Sequence, residues 1–435
     1  MRRALAVALA LGCAACAGLW PFGDDARRLA DWQHKTVSLR GLDFERGVSF
    51  RWVSRDELPA LLRDEAGAEL DPARVTDERD SYAALGALAP DVDLAKETME
   101  LYESQLAGLY SPKRNTLFVS DEMRGPLKSF LLDPIVVHEL THALQDQHFP
   151  DTLHLMLDLE NEDDVVRALS GTVEGDASIT MFGALPGGAK AETVEVADQL
   201  RDSMLAELSK PDSDIGRAPR LLAVGLVFPY AYGTVAAAHL YERNGNAGLD
   251  SALRDPPLST VQVLNPGIRA RIDFIRLPLD ELRADPGTAA CTQGQANVAG
   301  PLTVRVLLEA TQKGDALERL VSAWRGDRFV RLDCGDKWEL VWLTRWDTAE
   351  SAQRFAAAYG ARAAEIAGRT RLSGPVALTV SGTSALAVTP GLRGRADELL
   401  HASEIRGYTD FRAWLADGCF PEQGCPPPSI STSGD

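Results

Sequence analysis

Apolar residues recur along this chain in two rhythms, a helical period of about 3.6 residues and a strand period of 2. The helical rhythm dominates up to residue 277. Over 94–109 the apolar positions include Leu94, Met99, Leu101, Leu106 and Leu109, which predicts an amphipathic helix. A helix is predicted to open at Asp133, a natural N-cap, with Pro134 in the first position, where no N–H is needed. Val136, Val137 and Leu140 mark it as buried. Residues 162–183 form another helix, opening with Glu162, Asp163 and Asp164, acids that suit a helix N-terminus. Residues 220–243 predict a long, largely buried helix interrupted near Pro229. Residues 55–63 are a short helix and 64–90 a loop-rich helical stretch. The strand rhythm shows at 37–39 and 48–53, joined through Gly41 and Gly47. It returns over 108–119, where two short apolar runs flank a polar turn and predict a β-hairpin.

Past residue 302 the two rhythms interleave. Helices are predicted over 302–324, 349–366 and 393–402. Strands are predicted over 328–332 and 338–344, around Cys334-Gly335-Asp336-Lys337, and over 376–380 and 384–388, around Ser381-Gly382-Thr383. Residues 278–300, rich in Pro, Gly, Ala and Asp, read as a linker. The expected class is α+β. A mainly helical core with a small edge hairpin spans 31–277. An α+β module over 301–417 is either a small domain or a lobe packed on that core. A Cys/Pro-rich tail covers 418–435, and its end, 426–435, reads as disordered. No repeat and no nucleotide-binding loop occurs.

The buried helix carries the chemistry. His138, Glu139 and His142 form an H-E-x-x-H pattern. At about 3.6 residues per turn the two histidines lie on one face, one turn apart, where neutral imidazoles can share a metal ion. Glu139 projects beside them, placed to take a proton from water activated by that metal. A third ligand is needed. His148 is six residues past His142, about 9 Å along a continuing helix and rotated away. One class of zinc peptidases uses H-E-x-x-H-x-x-G-x-x-H, where the glycine turns the chain to bring in a third histidine; this chain departs from that pattern with Gln145 at the glycine position, so His148 is set aside. His154 falls in an expected loop and is set aside too. Glu174 is the candidate, on the 162–183 helix among small and apolar neighbours; Gly171, Gly175 and Ala177 allow close approach to the motif helix. Asp176 lies about 200° around the helix from Glu174, a poor co-ligand. His239, between Ala238 and Leu240, reads as a core histidine.

The formal charge is −18, which disfavours nucleic acid and anionic lipid as partners. Residues 1–16 have the form of a targeting segment: Arg2 and Arg3, a short apolar run, then Gly12-Cys13-Ala14-Ala15-Cys16. This resembles a bacterial lipoprotein signal, with lipid attached at Cys16, or at Cys13; plain secretion after Ala15 or Ala17 is the alternative. Residues 17–30 would be a tether. Export predicts an oxidising compartment, the periplasm, with an outer-membrane anchor favoured over an inner one. Cys291, Cys334, Cys419 and Cys425 then allow three connectivities. A local Cys419–Cys425 pair, completed by Cys291–Cys334, is preferred.

With Glu174 added, the motif resembles the gluzincin class of zinc metallopeptidases, to which thermolysin belongs. The chain also resembles bacterial exported proteins that combine a Gly-x-Tyr hairpin, an H-E-L-x-H-A-L-Q-D-Q-H-F helix and an E-G-x-A helix. The matching positions are Gly108 to Tyr110, His138 to Phe149 and Glu174 to Ala177. Two further matches are Pro229-Tyr230-Ala231-Tyr232-Gly233 and the segment from Pro256 to Pro266. The resemblance covers roughly residues 35–270. It implies a zincin-like core, one Zn2+ held by His138, His142 and Glu174, Glu139 as general base, and Tyr230 and Tyr232 as candidate oxyanion donors. It implies a peptide or protein substrate, with the hairpin edge pairing to an extended chain. Two positions depart from the pattern. Ser178 stands where an aspartate usually orients a ligand histidine, and Asn265 replaces the histidine of an L-H-P segment. Two other functions fit the same residues: a non-catalytic, zinc-containing envelope binding or assembly lipoprotein, and a cell-wall amide hydrolase.

Overall fold

In the computed structural model the described residues are 25–67, 71–124, 129–185, 187–188, 193–284 and 287–418. Cys13, Cys16, Cys419, Cys425 and the 426–435 tail lie outside them. The first element is α1 (Asp25–Arg40), which buries Trp32, Thr36 and Arg40 on one stripe. This replaces both the strand expected at 37–39 and the end of the expected tether. Three alternating residues cannot outweigh a four-residue repeat that spans the segment. Then follow β1 (Ser49–Val53), α2 (Glu57–Ala66), α3 (Pro72–Leu85) and α4 (Leu94–Glu103). α4 stops short of its predicted end because Leu109 belongs to the hairpin β2 (Gly108–Ser111) and β3 (Thr116–Ser120). β3 is central in a three-stranded sheet, parallel to β1 and antiparallel to β2.

The motif helix is α5 (Ser129–His148), followed by α6 (Pro150–Asp158) and α7 (Asp163–Ala184). α5 begins before Asp133, so Pro134 is inside it rather than at its first position. Asp133 caps nothing; its carboxylate accepts the Trp32 indole N–H at 2.8 Å and ties α5 to α1. α7 packs against α5 on one side and against the helical run Arg220–Phe228, Pro229–Gly233 and Thr234–Asn244 on the other. The expected interruption at Pro229 is a single π-helical turn, not a break. A Cβ on Gly175 would stand 2.4 Å from the Gly233 carbonyl oxygen, so backbone meets backbone there and only glycine fits.

The remaining strands are β4 (Ile272–Arg276), β5 (Thr292–Asn297), β6 (Trp324–Cys334), β7 (Lys337–Trp346), β8 (Ala377–Ser381), β9 (Ser384–Val388) and β10 (Glu404–Tyr408). Five form an antiparallel sheet in the order β5-β6-β7-β9-β8, and β4 pairs with β10. The helix expected over 302–324 is two, Gly300–Leu308 and Gly314–Ser322, and Trp324 opens β6. The 349–366 helix is likewise divided, at Ala361-Arg362. The expected linker is structured. It holds the helix Leu279–Ala284 and edge strand β5, joined to the end of β6 by the Cys291–Cys334 disulfide. Edge strand β5 buries only Ala296 and Asn297, so its composition carries no strand rhythm.

One hydrophobic core runs through both parts, joining Tyr82, Val166 and Val173 to Trp324, Trp342 and Phe355. Arg328, fully buried, donates to the backbone carbonyls of Asn161 and Ile275 and pairs with Glu162. The β4–β10 pairing also crosses the expected boundary. The C-terminal module is therefore a lobe on the helical core. The protein is α+β, mainly helical around the centre described next.

Candidate metal centre

α5 and α7 cross where Glu174 faces His138 and His142. Glu174 Oε2 is 3.1 Å from His138 Nε2 and 3.5 Å from His142 Nε2, and the two Nε2 atoms are 3.2 Å apart. All three side chains are buried to 2% exposure or less. A four-coordinate ion with bonds of about 2.0–2.1 Å spaces its ligand atoms about 3.3–3.4 Å apart, and these edges bracket that value. Two imidazole nitrogens and a carboxylate oxygen converging in a buried site form a donor set that could hold a cation. Among the described residues this is the one group of three or more His, Cys, Asp or Glu with metal-ligand spacing.

Glu139 lies against the same point. Its Oε2 accepts the Tyr110 N–H at 2.8 Å, while Oε1 is buried without a hydrogen-bond partner. Gly108 makes room: a Cβ there would be 3.2 Å from Glu139 Cγ. The Gly-x-Tyr hairpin thus lets β2 pass close over the carboxylate and grip it through a backbone N–H. Tyr110 closes a second link, its hydroxyl donating to Asp146 Oδ2 at 2.8 Å.

Electrostatics follow from burial. Burial raises the Glu139 pKa, only partly offset by the two histidines and the Tyr110 N–H. Burial also works to raise Glu174, but the charge of His142 and contacts with both histidines bring it below its ordinary value. Burial opposes charge on His142, yet Glu174, Glu139 and Gln145 lift its pKa to about 9.

The residues after His142 are framework. Gln145 Oε1 lies 2.8 Å from His142 Nδ1. Asp146 pairs with Arg46 as well as Tyr110. Gln147 accepts the Glu45 N–H at 2.7 Å, and His148 Nε2 is 2.7 Å from the Asp43 carbonyl. His148 is therefore a clamp on the loop after α1, not a ligand. His154 is exposed on α6 rather than in a loop, and His239 is half-buried rather than in the core.

The two candidate tyrosines part company. Tyr230 stacks on His138 with ring centroids 6.4 Å apart. Burial, then the charges of Glu174 and Glu139, hold its phenol well above the usual pKa. Tyr232 points elsewhere. It stacks on Phe228 at 5.9 Å, and its charged surroundings are Arg305, Glu318, Arg201 and Asp202. The expectation that it serves this centre is corrected: two residues along a π-helical turn, its ring leaves by another face. Asn265, just past the short helix Thr260–Leu264, donates to the Val261 carbonyl at 2.8 Å. The Ser259-Thr260 pair beside it binds Asp164 at the start of α7, so this segment anchors the ligand helix.

A cavity of about 160 Å³ reaches His142. Leu109, Tyr110, Leu153, Met156 and Val173 line it, with Glu65 of α2 and Lys113 of the hairpin turn, so its walls include β2, α6 and α7. Gln145 and Asp176 were missed as site residues by sequence reasoning. The available signal was polarity itself, since uncharged and charged groups on buried helices need partners.

A family model described as a domain of unknown function, DUF8575, matches residues 289–404. That segment covers the five-stranded sheet and leaves the His138–His142–Glu174 centre outside. No curated protein and no solved structure matches the chain.

Proposed function

We propose that this chain is a zinc-dependent peptidase, with His138, His142 and Glu174 as metal ligands and Glu139 as general base. The observation that carries the reading is the buried triangle of donor atoms with a Glu139 oxygen beside it that has no partner. Zinc bound there would supply Lewis acidity, polarising an amide carbonyl and lowering the pKa of water. Glu139 is held at Oε2 by Tyr110 and keeps Oε1 for the proton. Its raised pKa suits a carboxylate that accepts a proton and then returns it to the leaving amine. Tyr230, kept protonated, is a hydrogen-bond donor on the Glu174 side, suited to a developing oxyanion. The apolar cavity beside β2 supports a peptide segment as substrate, entering along the hairpin edge.

The Cys291–Cys334 disulfide, together with the N-terminal segment, supports export to the bacterial periplasm with a lipid anchor at Cys16 or Cys13. Near-complete burial of all four centre residues favours a second reading, a zinc site kept for structure in an envelope binding protein. Zinc content and cleavage of an unbiased peptide library, measured for wild type and Glu139→Gln, separate them. The peptidase reading expects one zinc per chain in both proteins, with cleavage in the variant lower by about 10²–10⁴-fold. One zinc with no cleavage by wild type establishes the second reading. Absence of zinc removes both.

A further inference from the structure

Gln145 makes three hydrogen-bonding contacts that leave its amide one orientation. Its Nε2 donates to the Val173 carbonyl at 2.9 Å and to Asp176 Oδ2 at 2.8 Å. Both partners are acceptors, so the amide oxygen must be the atom facing His142 Nδ1 at 2.8 Å. An oxygen can only accept there. His142 Nδ1 is then the nitrogen that keeps its proton in the neutral imidazole, which leaves Nε2, facing Glu174 and His138, as the atom that gives up its proton to bind a metal. Asp176 is held in turn by Arg40, whose Nε lies 2.7 Å from Asp176 Oδ1 and whose Nη2 is 2.7 Å from Asp250 Oδ1. Gln145, Asp176 and Arg40 are all buried to 1% exposure or less.

We infer that Gln145, Asp176 and Arg40 are positioning residues that set the tautomer and orientation of His142 for metal binding, a role that rests on the proposed zinc site. The order of command runs inward. Arg40 is anchored by Asp250 on the helix Asn246–Arg254 and keeps Asp176 in place as an acceptor. Asp176 and the Val173 carbonyl then decide which end of the Gln145 amide faces the imidazole. This supplies the partner that Ser178, at the position usual for an orienting aspartate, does not. The two ligand histidines are held unequally. His138 Nδ1 is buried with no hydrogen-bond partner, so His138 is located by packing against Tyr230 and His142 by hydrogen bonding.

The test is zinc affinity by competition with a chelator, at one pH, on the full chain, with the melting temperature of each metal-free protein as control. Gln145→Leu keeps the volume and removes the acceptor; its affinity should fall about 10–100-fold. Asp176→Ala frees the amide to turn and should fall comparably. Asp176→Asn offers one acceptor oxygen where Asp176 offers two, to Gln145 and to Arg40, so its affinity should fall between those of wild type and Asp176→Ala. In the zinc-loaded protein the His142 Nδ1–H resonance should be protected from exchange in wild type and lost in Gln145→Leu. Lower melting temperatures with unchanged zinc affinity in Gln145→Leu and Asp176→Ala would overturn the relay while leaving the zinc site standing. No zinc binding by wild type would overturn both.

Discussion

At the proposed zinc site, removing the metal should reverse how stability depends on pH. The group responsible is His142, whose pKa in the folded, metal-free protein is about 9 against 6.5 for an unperturbed histidine. Burial alone would lower it; the Glu174 carboxylate 3.5 Å away, with Glu139 behind it, more than compensates. A pKa raised on folding means that the folded state holds its proton more tightly than the unfolded chain does. The stabilisation is complete below pH 6.5 and is lost as pH rises through about 9. Its full size is on the order of 3 kcal/mol, from about 1.36 kcal/mol per unit. Zinc competes with that proton, so the zinc-loaded protein should gain relative stability over the same window as binding tightens. Urea denaturation followed by tryptophan fluorescence, at intervals from pH 6 to 9.5 with chelator or with zinc, measures both slopes. His142→Gln is the control, because glutamine does not titrate. If metal-free wild type and His142→Gln show the same pH slope between 6.5 and 9, the charge-pair account of the empty centre is wrong.

Three further outcomes are expected. Gly175→Ala drives a methyl into the Gly233 carbonyl, so it should cost about 1–3 kcal/mol in chemical denaturation and weaken zinc binding as α7 is pushed off its neighbour. Tyr230→Phe should slow peptide cleavage by about 10²-fold with zinc content unchanged, whereas Tyr232→Phe should leave cleavage as it is; equal effects would contradict their separate placement. Replacing both Cys291 and Cys334 by alanine opens a closure of 43 residues and should lower stability by roughly 4 kcal/mol in the loop-entropy model, with zinc affinity retained.

The sequence by itself determined the local half of this protein. Spacing on one helix put His138 and His142 on one face with Glu139 beside them, because a helix has a fixed period and needs no outside information. Small residues around Glu174 marked a helix that could come close, and His148, set aside for want of a glycine at Gln145, faces the Asp43 carbonyl in the structure. Periodicity also located α7, the hairpin and most strands of the C-terminal sheet. Short or weakly patterned segments went astray. Residues 37–39 alternate over too few positions to reveal α1, and β5 is an edge strand with almost no buried face.

Tertiary structure decided everything that depends on which buried polar groups meet. Gln145 became the partner of His142, and Asp176, a poor ligand by angle, became the group that orients Gln145. Arg40 reached them from α1, 136 residues before Asp176 in the chain. Tyr230 and Tyr232 lie on opposite faces of one helical run, and only the packing of that run against α5 and α7 decided which of them meets His138. The physical reason is common to all four. A helix period fixes the relation of residues a turn apart. Hydrogen bonds and ion pairs between distant segments depend on crossing geometry, and that is set only when the whole core packs.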